Sequence, residues 1–293
     1  MATVHYSELF GLTVQGEGLH TGVPSLFLRM FGCNFRCKNF SRTGEDVLGF
    51  TVTHNPEVVA IIKDIDKYKT LTDLPLVVTG CDSYAAVYPE FKGFAHKATT
   101  DELAEMMVDM LPFKKWEAEH LVITGGESLL PGWQRAYIDL LEHPSMKDLT
   151  GLTFETNGTQ SLTTEFKEYI STKWLGTQRR FEQLTFSVSP KLSASGEPAS
   201  KAIRPDLIYE YQLLGDVYLK FVVATEEDVD EAIAVIDMYK ADGFTGPVYL
   251  MPAGGTLDTY MQNRVNVANM ALANGLRYSD RLHINLWGNQ WGT

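Results

Sequence analysis

An α/β fold built on a parallel sheet is predicted by two observations. Short apolar runs rich in Val, Ile, Leu and aromatic residues alternate with amphipathic stretches along the chain. Three successive runs are followed by the small, polar segments GGES (125–128), ETNGT (155–159) and SPK (189–191), at the strand ends where such sheets build their sites. Alternating β and α units imply parallel strands joined by crossover helices.

The predicted strands are PSLFLRMF (24–31), HLVITG (120–125), LTFET (152–156), LTFSVS (184–189), VYLKFVV (217–223), PVYLM (247–251) and LHINLW (282–287). Thr99 and Glu102 have capping-box spacing ahead of the helical pattern LAEMMVDML. EEDVDEAIAVIDMYKADG ends on a glycine suited to a C-cap, and helical periodicity returns around 256–275. NPEVVAIIKDIDKYK (55–69) is predicted as a helix, with Asn55 as N-cap and Pro56 in the first turn. LPLVVTG (74–80) is predicted as a strand running up to Cys81. With no internal repeat, low-complexity tract or Pro/Gly-rich linker, one domain over 1–293 is the simpler reading.

Composition is that of a soluble globular protein, with 44% hydrophobic and 21% charged residues. No apolar run is long enough to span a bilayer. MATVHYSELF lacks the basic and apolar regions of a signal peptide, so a cytoplasmic location is expected. A net charge of −12 repels phosphate backbones and disfavours DNA or RNA as direct partner.

There are three cysteines, Cys33, Cys37 and Cys81. An odd, low count without a signal peptide argues against a disulfide framework. Three thiolates suit a cubane iron–sulfur cluster that keeps one iron open. Two other readings stay open: buried core thiols, or a zinc site completed by histidine, although no His lies at a short ligand spacing.

Other residues have the chemistry of a site. Glu127 suits an ammonium group, and Lys191 a carboxylate or hydroxyls. Gln15 and Glu17 flank Gly16, whose missing side chain suggests close approach of a ligand to the backbone. The planar fork of Arg29 suits a carboxylate, though a strand ion pair with an acid is also open. His5, His20, His54, His96, His120 and His143 read as surface or structural residues, and KDIDKYK (63–69) as a solvated helix face.

Taken together, SELFGLTVQGEGLHTGVPSLFLRMFGCN (7–34), Ile123–Glu127 (ITGGE), ETNG (155–158), SPKL (189–192) and LHINLWGN (282–289) resemble the 7-carboxy-7-deazaguanine synthases, a family of radical S-adenosylmethionine (SAM) enzymes. The likeness spans nearly the whole chain. VQGEG followed by Arg29 and the first cysteine is specific to that family, whereas GGE alone marks only the superfamily. The family's cysteines stand as CxxxCxxC followed by Asp and Thr or Ser. Here Phe40 occupies the third cysteine's place, while Cys81 is followed by Asp82 and Ser83. The motif is therefore read as split. Forty-three residues lie between Cys37 and Cys81 where the family has two, and residues 38–80 are read as an insertion in the cluster loop. Lengthening the loop to this extent costs only about 2–3 kcal/mol of closure entropy.

The resemblance implies an open partial (β/α)6-type barrel carrying that insertion. It implies a ring contraction of 6-carboxy-5,6,7,8-tetrahydropterin to 7-carboxy-7-deazaguanine with loss of ammonia, on the way to 7-deazaguanine bases. Cys33, Cys37 and Cys81 would hold a [4Fe–4S] cluster, and Ser83 would bind Mg²⁺ in place of the family's Thr. SAM would meet Asp82, Gly126, Glu127, Ser189, Pro190 and Lys191. The pterin would meet Val14, Gln15, Gly16, Glu17, Arg29, Thr124 and, on the last strand, His283. Ser128 replaces the usual Pro after GGE. A flavodoxin or ferredoxin is the expected electron donor, and a homodimer the expected assembly. The alternatives are another radical SAM enzyme, such as a glycyl-radical activase, and a cluster-free descendant that binds a pterin or a partner.

Overall fold

The computed structural model describes residues 2–41, 54–174 and 183–293, so 42–53 of the insertion lie outside the described residues. The strands are β1 (Thr3–Val14), β2 (Pro24–Met30), β3 (His96–Thr99), β4 (His120–Gly125), β5 (Gly151–Thr156), β6 (Gln183–Val188), β7 (Asp216–Val223), β8 (Val248–Pro252) and β9 (Arg277–Tyr278). They form one sheet in the order β3-β1-β2-β4-β5-β6-β7-β8-β9. From β2 to β9 every pairing is parallel, and β1 lies antiparallel to both β2 and β3. The fold is thus α/β with a large, mostly parallel sheet. The sheet is open, since its edge strands β3 and β9 do not pair with each other.

The helices are α1 (Pro56–Lys63), α2 (Tyr84–Val87), α3 (Thr100–Met110), α4 (Pro131–Leu141), α5 (Thr164–Tyr169), α6 (Ala199–Ala202), α7 (Pro205–Gln212), α8 (Glu226–Ala241), α9 (Leu257–Ala273) and α10 (Leu282–Trp287). Their starts follow local chemistry. Thr99 Oγ1 accepts from Glu102 N while Glu102 accepts from Thr99 N, which opens α3. Thr225 and Asp228 do the same for α8, which is followed by Gly243 at φ +96°.

Parallel strands that follow one another in chain order place their crossover helices on one face. On that face Leu28, Ile123, Phe154, Phe186, Leu219 and Leu250 share a core with Leu103, Ala136, Phe166, Ile208, Ala232 and Val267 of the helices. Each fully buried Phe or Leu contributes about 1.5–3 kcal/mol relative to exposure. Period-two alternation turns the neighbouring residues Arg29, Thr124, Glu155 and Ser187 to the opposite face, where they line a cavity.

Two predicted strands are absent. LHINLW is the helix α10, closed by Gly288 at φ +71°. Its apolar residues fit either period over so short a run. Asp280 decides locally, because one of its oxygens accepts from Arg281 N and the other from Asn285 Nδ2. LPLVVTG makes no ladder because side chains take its backbone groups. Leu74 O accepts from Trp291 Nε1, Pro75 O accepts from Tyr84 OH, and Val78 N and Thr79 N donate to Glu57. The predicted helix 55–69 stops at Lys63 and gives way to a 3-10 turn at Ile65–Lys67. The long β1 and the short β3 were not foreseen.

The described residues between Cys37 and Cys81 help build a second, smaller core. Val58, Ile61, Leu71, Leu74 and Val77 pack with Tyr84, Tyr88 and Phe91, and Cys33, Cys81 and Trp291 lie against it.

Candidate active site

The cysteine loop leaves β2 across the end of β4. Gly32 N donates to Ala86 O, Gly126 N to Met30 O, and Glu127 N to Gly32 O. A side chain at Gly126 would strike the Gly32 carbonyl and Cys33 Cβ. Gly125 sits at φ +135° against the Met30 backbone. These two glycines therefore let the cysteine loop lie directly on the strand end. Glu197 Oε1 accepts from both Arg36 N and Cys37 N at 2.8 Å, holding Cys37 in a left-handed conformation (φ +47°).

Cys33, Cys37 and Cys81 are free thiols that line one cavity and share one apolar cluster with Phe35, Phe40, Ala202 and Ile203. Burial pushes the Cys33 and Cys81 thiols up to about 12, with Glu127 reinforcing the first and Asp82 the second. Cys37 is raised well above the ordinary value by burial, with the other two thiols adding to it and Lys191 opposing. Among the described residues no three His, Cys, Asp or Glu side chains converge to chelate a single ion. A cubane makes a different demand, because its three thiolates bind three separate irons.

Across the sheet the register aligns Arg29 with Thr124, and Glu155 with Ser187, in one row on the cavity side. Thr124 Oγ1 donates to Glu155 Oε2 at 2.8 Å, and Gln15 Nε2 donates to Glu155 Oε1 at 3.1 Å. Arg29 Nε donates to Glu8 at 2.8 Å, its Nη1 donates to Ser83 Oγ at 2.9 Å, and its guanidinium lies 5.5 Å from the Phe10 ring centre. Arg29 therefore joins the sheet to the turn after Cys81: it pairs with the strand acid Glu8, and it also lines the cavity.

Beside that row lies a buried ion network. Glu17 is paired with Lys220 Nζ and with Arg281 Nε. Arg281 also donates to Asp82 Oδ2 at 2.7 Å and to Gly254 O at 2.6 Å. Burial alone raises a carboxyl pKa, yet Lys220 and Arg281 hold Glu17 well below the usual carboxylate range. The same competition, decided by Arg281, lowers Asp82. Glu17 is thus committed to protein cations.

The remaining predicted residues divide. Val14, His283, Ser189 and Lys191 line the cavity, and Lys191 Nζ donates to Ser189 Oγ at 3.0 Å. Gly16 and Pro190 do not line it. Gly16 packs against the His283 ring, and its carbonyl accepts from Leu282 N at 2.9 Å. His283 thus reaches the cavity from the start of α10, not from a strand. Glu127 is fully buried behind the wall. Its Oε1 accepts from Thr156 Oγ1 and Leu129 N, and its Oε2 accepts from Asn157 N.

The sequence reading missed four participants. Glu155 is the inward residue of its strand and was legible by alternation. Lys220 is the lone charge in an apolar strand, a signal of a buried partner. Arg281 and Glu197 leave no local signal.

No family profile matches the chain. Curated proteins named 7-carboxy-7-deazaguanine synthase do. That of Pyrobaculum aerophilum is 26% identical over 289 residues, covering 99% of this chain and 97% of the relative. That of Halobacterium salinarum is 28% identical over 303 residues, covering 96% and 89%. That of Leptospira interrogans is 23% identical over 287 residues, covering 96% and 94%. This chain is a relative of the 7-carboxy-7-deazaguanine synthases. The solved structure of QueE from Escherichia coli aligns with 96% of the chain and 95% of its own at 19% identity, with a TM-score of 0.49.

Two predictions follow from the buried charges. Lys220→Met leaves Glu17 buried with Arg281 as its one remaining cation and should lower stability by about 3 kcal/mol, read from the urea midpoint. A histidine held below its unfolded value costs stability once the unfolded chain protonates and the folded chain does not. His283, lowered to about 4 by burial and Arg281, and His120, lowered to about 4 by burial and His20, should make stability fall as pH drops from 6.5 toward 4. His283→Gln should flatten that loss in a pH series of urea melts.

Proposed function

We propose that the chain is a 7-carboxy-7-deazaguanine synthase that converts 6-carboxy-5,6,7,8-tetrahydropterin to 7-carboxy-7-deazaguanine with loss of ammonia. The observation that carries this reading is that three thiols, the last separated from its neighbour by 43 intervening residues, line one cavity with Arg29, Thr124 and Gln15. The open sheet, wound in chain order, is read as the family's partial barrel.

The donor set fits the expected groups. Three free thiols in one apolar cluster, Cys37 buried and Cys33 and Cys81 half-buried, suit a [4Fe–4S] cluster. Among the described residues no ion pair reaches Glu127, a fully buried carboxylate whose pKa burial raises and whose hydrogen bonds to Asn157, Thr156 and Leu129 lower. This carboxylate would keep its role in the family, balancing an ammonium such as that of SAM, with the side chain standing behind the Gly126 wall of the cavity and not on its surface. When bound, the cluster and SAM supply the radical that removes a hydrogen atom from the substrate.

The chain's own groups orient the substrate. Glu8 and Ser83 take two donors of Arg29, which fixes its plane and leaves donors for the pterin carboxylate. Glu155 accepts from Thr124 and Gln15, so both hydrogen-bonding groups are held still at the cavity floor. His283 is lowered to about 4 and is neutral at pH 7, able to donate or accept one hydrogen bond without adding charge. Ser189 and Lys191 would meet the nucleoside of SAM, with Gly126 and Asp82 at its other side. Pro190 and Gly16 would act on backbone position, and Val14 would meet the pterin. Ser83 keeps a lone pair for Mg²⁺, an oxygen-seeking ion. Electrons would come from a flavodoxin or ferredoxin, and a cytoplasmic homodimer is the expected form. Among the described residues no helix is long and apolar enough to cross a membrane.

Anaerobic incubation with SAM, reductant and the carboxypterin, followed by mass analysis, tests the reading. A product lighter by ammonia is expected. SAM cleavage that leaves the pterin intact would assign another substrate, and no SAM cleavage at all would favour the cluster-free alternative.

A further inference from the structure

The two segments that carry Cys37 and Cys81 are tied together by one side chain of the insertion. Asn55 is fully buried. Its Nδ2 donates to Lys38 O at 3.0 Å and to Thr79 Oγ1 at 3.0 Å. Lys38 follows Cys37 directly, and Thr79 stands two residues before Cys81. Asn55 Oδ1 accepts from Glu57 N at 2.8 Å and Val58 N at 3.5 Å, capping α1. Both donors and the carbonyl of this amide are thus in use.

The circuit closes through Glu57. Its carboxylate accepts from Val78 N at 2.8 Å, Thr79 N at 2.9 Å and Thr79 Oγ1 at 2.6 Å. Gly80 N donates to Phe40 O at 2.8 Å, and Gly80 lies at φ +83° with no room for a side chain against the Asn55 amide. A capped helix start therefore serves as the knot at the base of a long detour. In a short cysteine loop the backbone itself would fix the third thiol, and here that work falls to side chains.

We propose that Asn55, with Thr79, is a positioning residue for the three-thiol site, setting Cys81 beside Cys37. This rests on the reading of Cys81 as the third cluster ligand. The test is anaerobic reconstitution of the full chain with iron and sulfide, scored by iron per chain and the absorption near 400 nm, beside the thermal midpoint of the cluster-free protein. Asn55→Ser keeps an N-cap oxygen but has no amide donors, and Thr79→Val removes the shared hydroxyl at nearly equal volume. Both should hold iron about 10- to 100-fold more weakly, as for lost outer-shell partners of metal ligands. The lost buried hydrogen bonds should lower the cluster-free thermal midpoints by only a few degrees, so that iron is lost at temperatures where the variants are still folded, and the double variant should be no worse than either single one, because both break one circuit. Full iron and an unchanged spectrum in either variant would overturn the proposal, as would iron loss that only tracks a fallen thermal midpoint. Cys81→Ser separates the two levels. If it keeps the full cluster, the split-ligand reading itself fails. If it loses the cluster while Asn55→Ser keeps it, only the role of Asn55 fails.

Discussion

Arg281 is the point on which the cavity's architecture turns. One guanidinium binds Glu17 from the loop after β1, the Gly254 carbonyl beyond β8, and Asp82 next to Cys81. Residues 264 and 199 positions away in sequence thereby meet at one planar group. Burying such charges costs more than their attraction returns unless every partner is present. The network is therefore a weak source of net stability and a strong source of uniqueness. A slip of the Cys81 turn would leave Arg281 short of an acid in a dry site. Lys220 completes the balance, two cations against the carboxylates of Glu17 and Asp82.

Cys81 is fixed from both sides. Downstream, Asp82 is held by Arg281 and Ser83 by Arg29. Upstream, the insertion's own capped helix grips the returning chain. The small core of Val58, Ile61, Leu74 and Val77 under Tyr84 and Phe91 gives that helix a reason to fold in place. Trp291 seals it, donating to Leu74 O and meeting Tyr84 edge-on at 5.8 Å between ring centres.

Much of this was legible in the sequence, for identifiable reasons. Strands buried on both sides announce themselves as apolar runs, and the capping pairs Thr99–Glu102 and Asn55–Pro56 mark helix starts through local bonds. Asp82 and Ser83 directly after Cys81 are what suggest the split-motif reading, without any geometry. The failures share one cause: LPLVVTG and LHINLW have strand-like composition, but distant or neighbouring side chains satisfy their backbones. Trp291 lies 217 residues from Leu74, beyond the reach of any sequence window. Gly125 and Gly126 line the cavity and also make room for the cysteine loop, a second role that no local pattern announces. That Glu17 also pairs with Lys220 and Arg281 was not legible, because both partners are remote in sequence.

The most direct measurement is an anaerobic crystal structure of the iron-reconstituted protein, with iron located by its anomalous scattering. The account predicts one compact iron–sulfur density bonded to the Sγ atoms of Cys33, Cys37 and Cys81, with a fourth iron free of protein sulfur. Iron shared by Cys33 and Cys37 alone, with the Cys81 sulfur turned away, would contradict it.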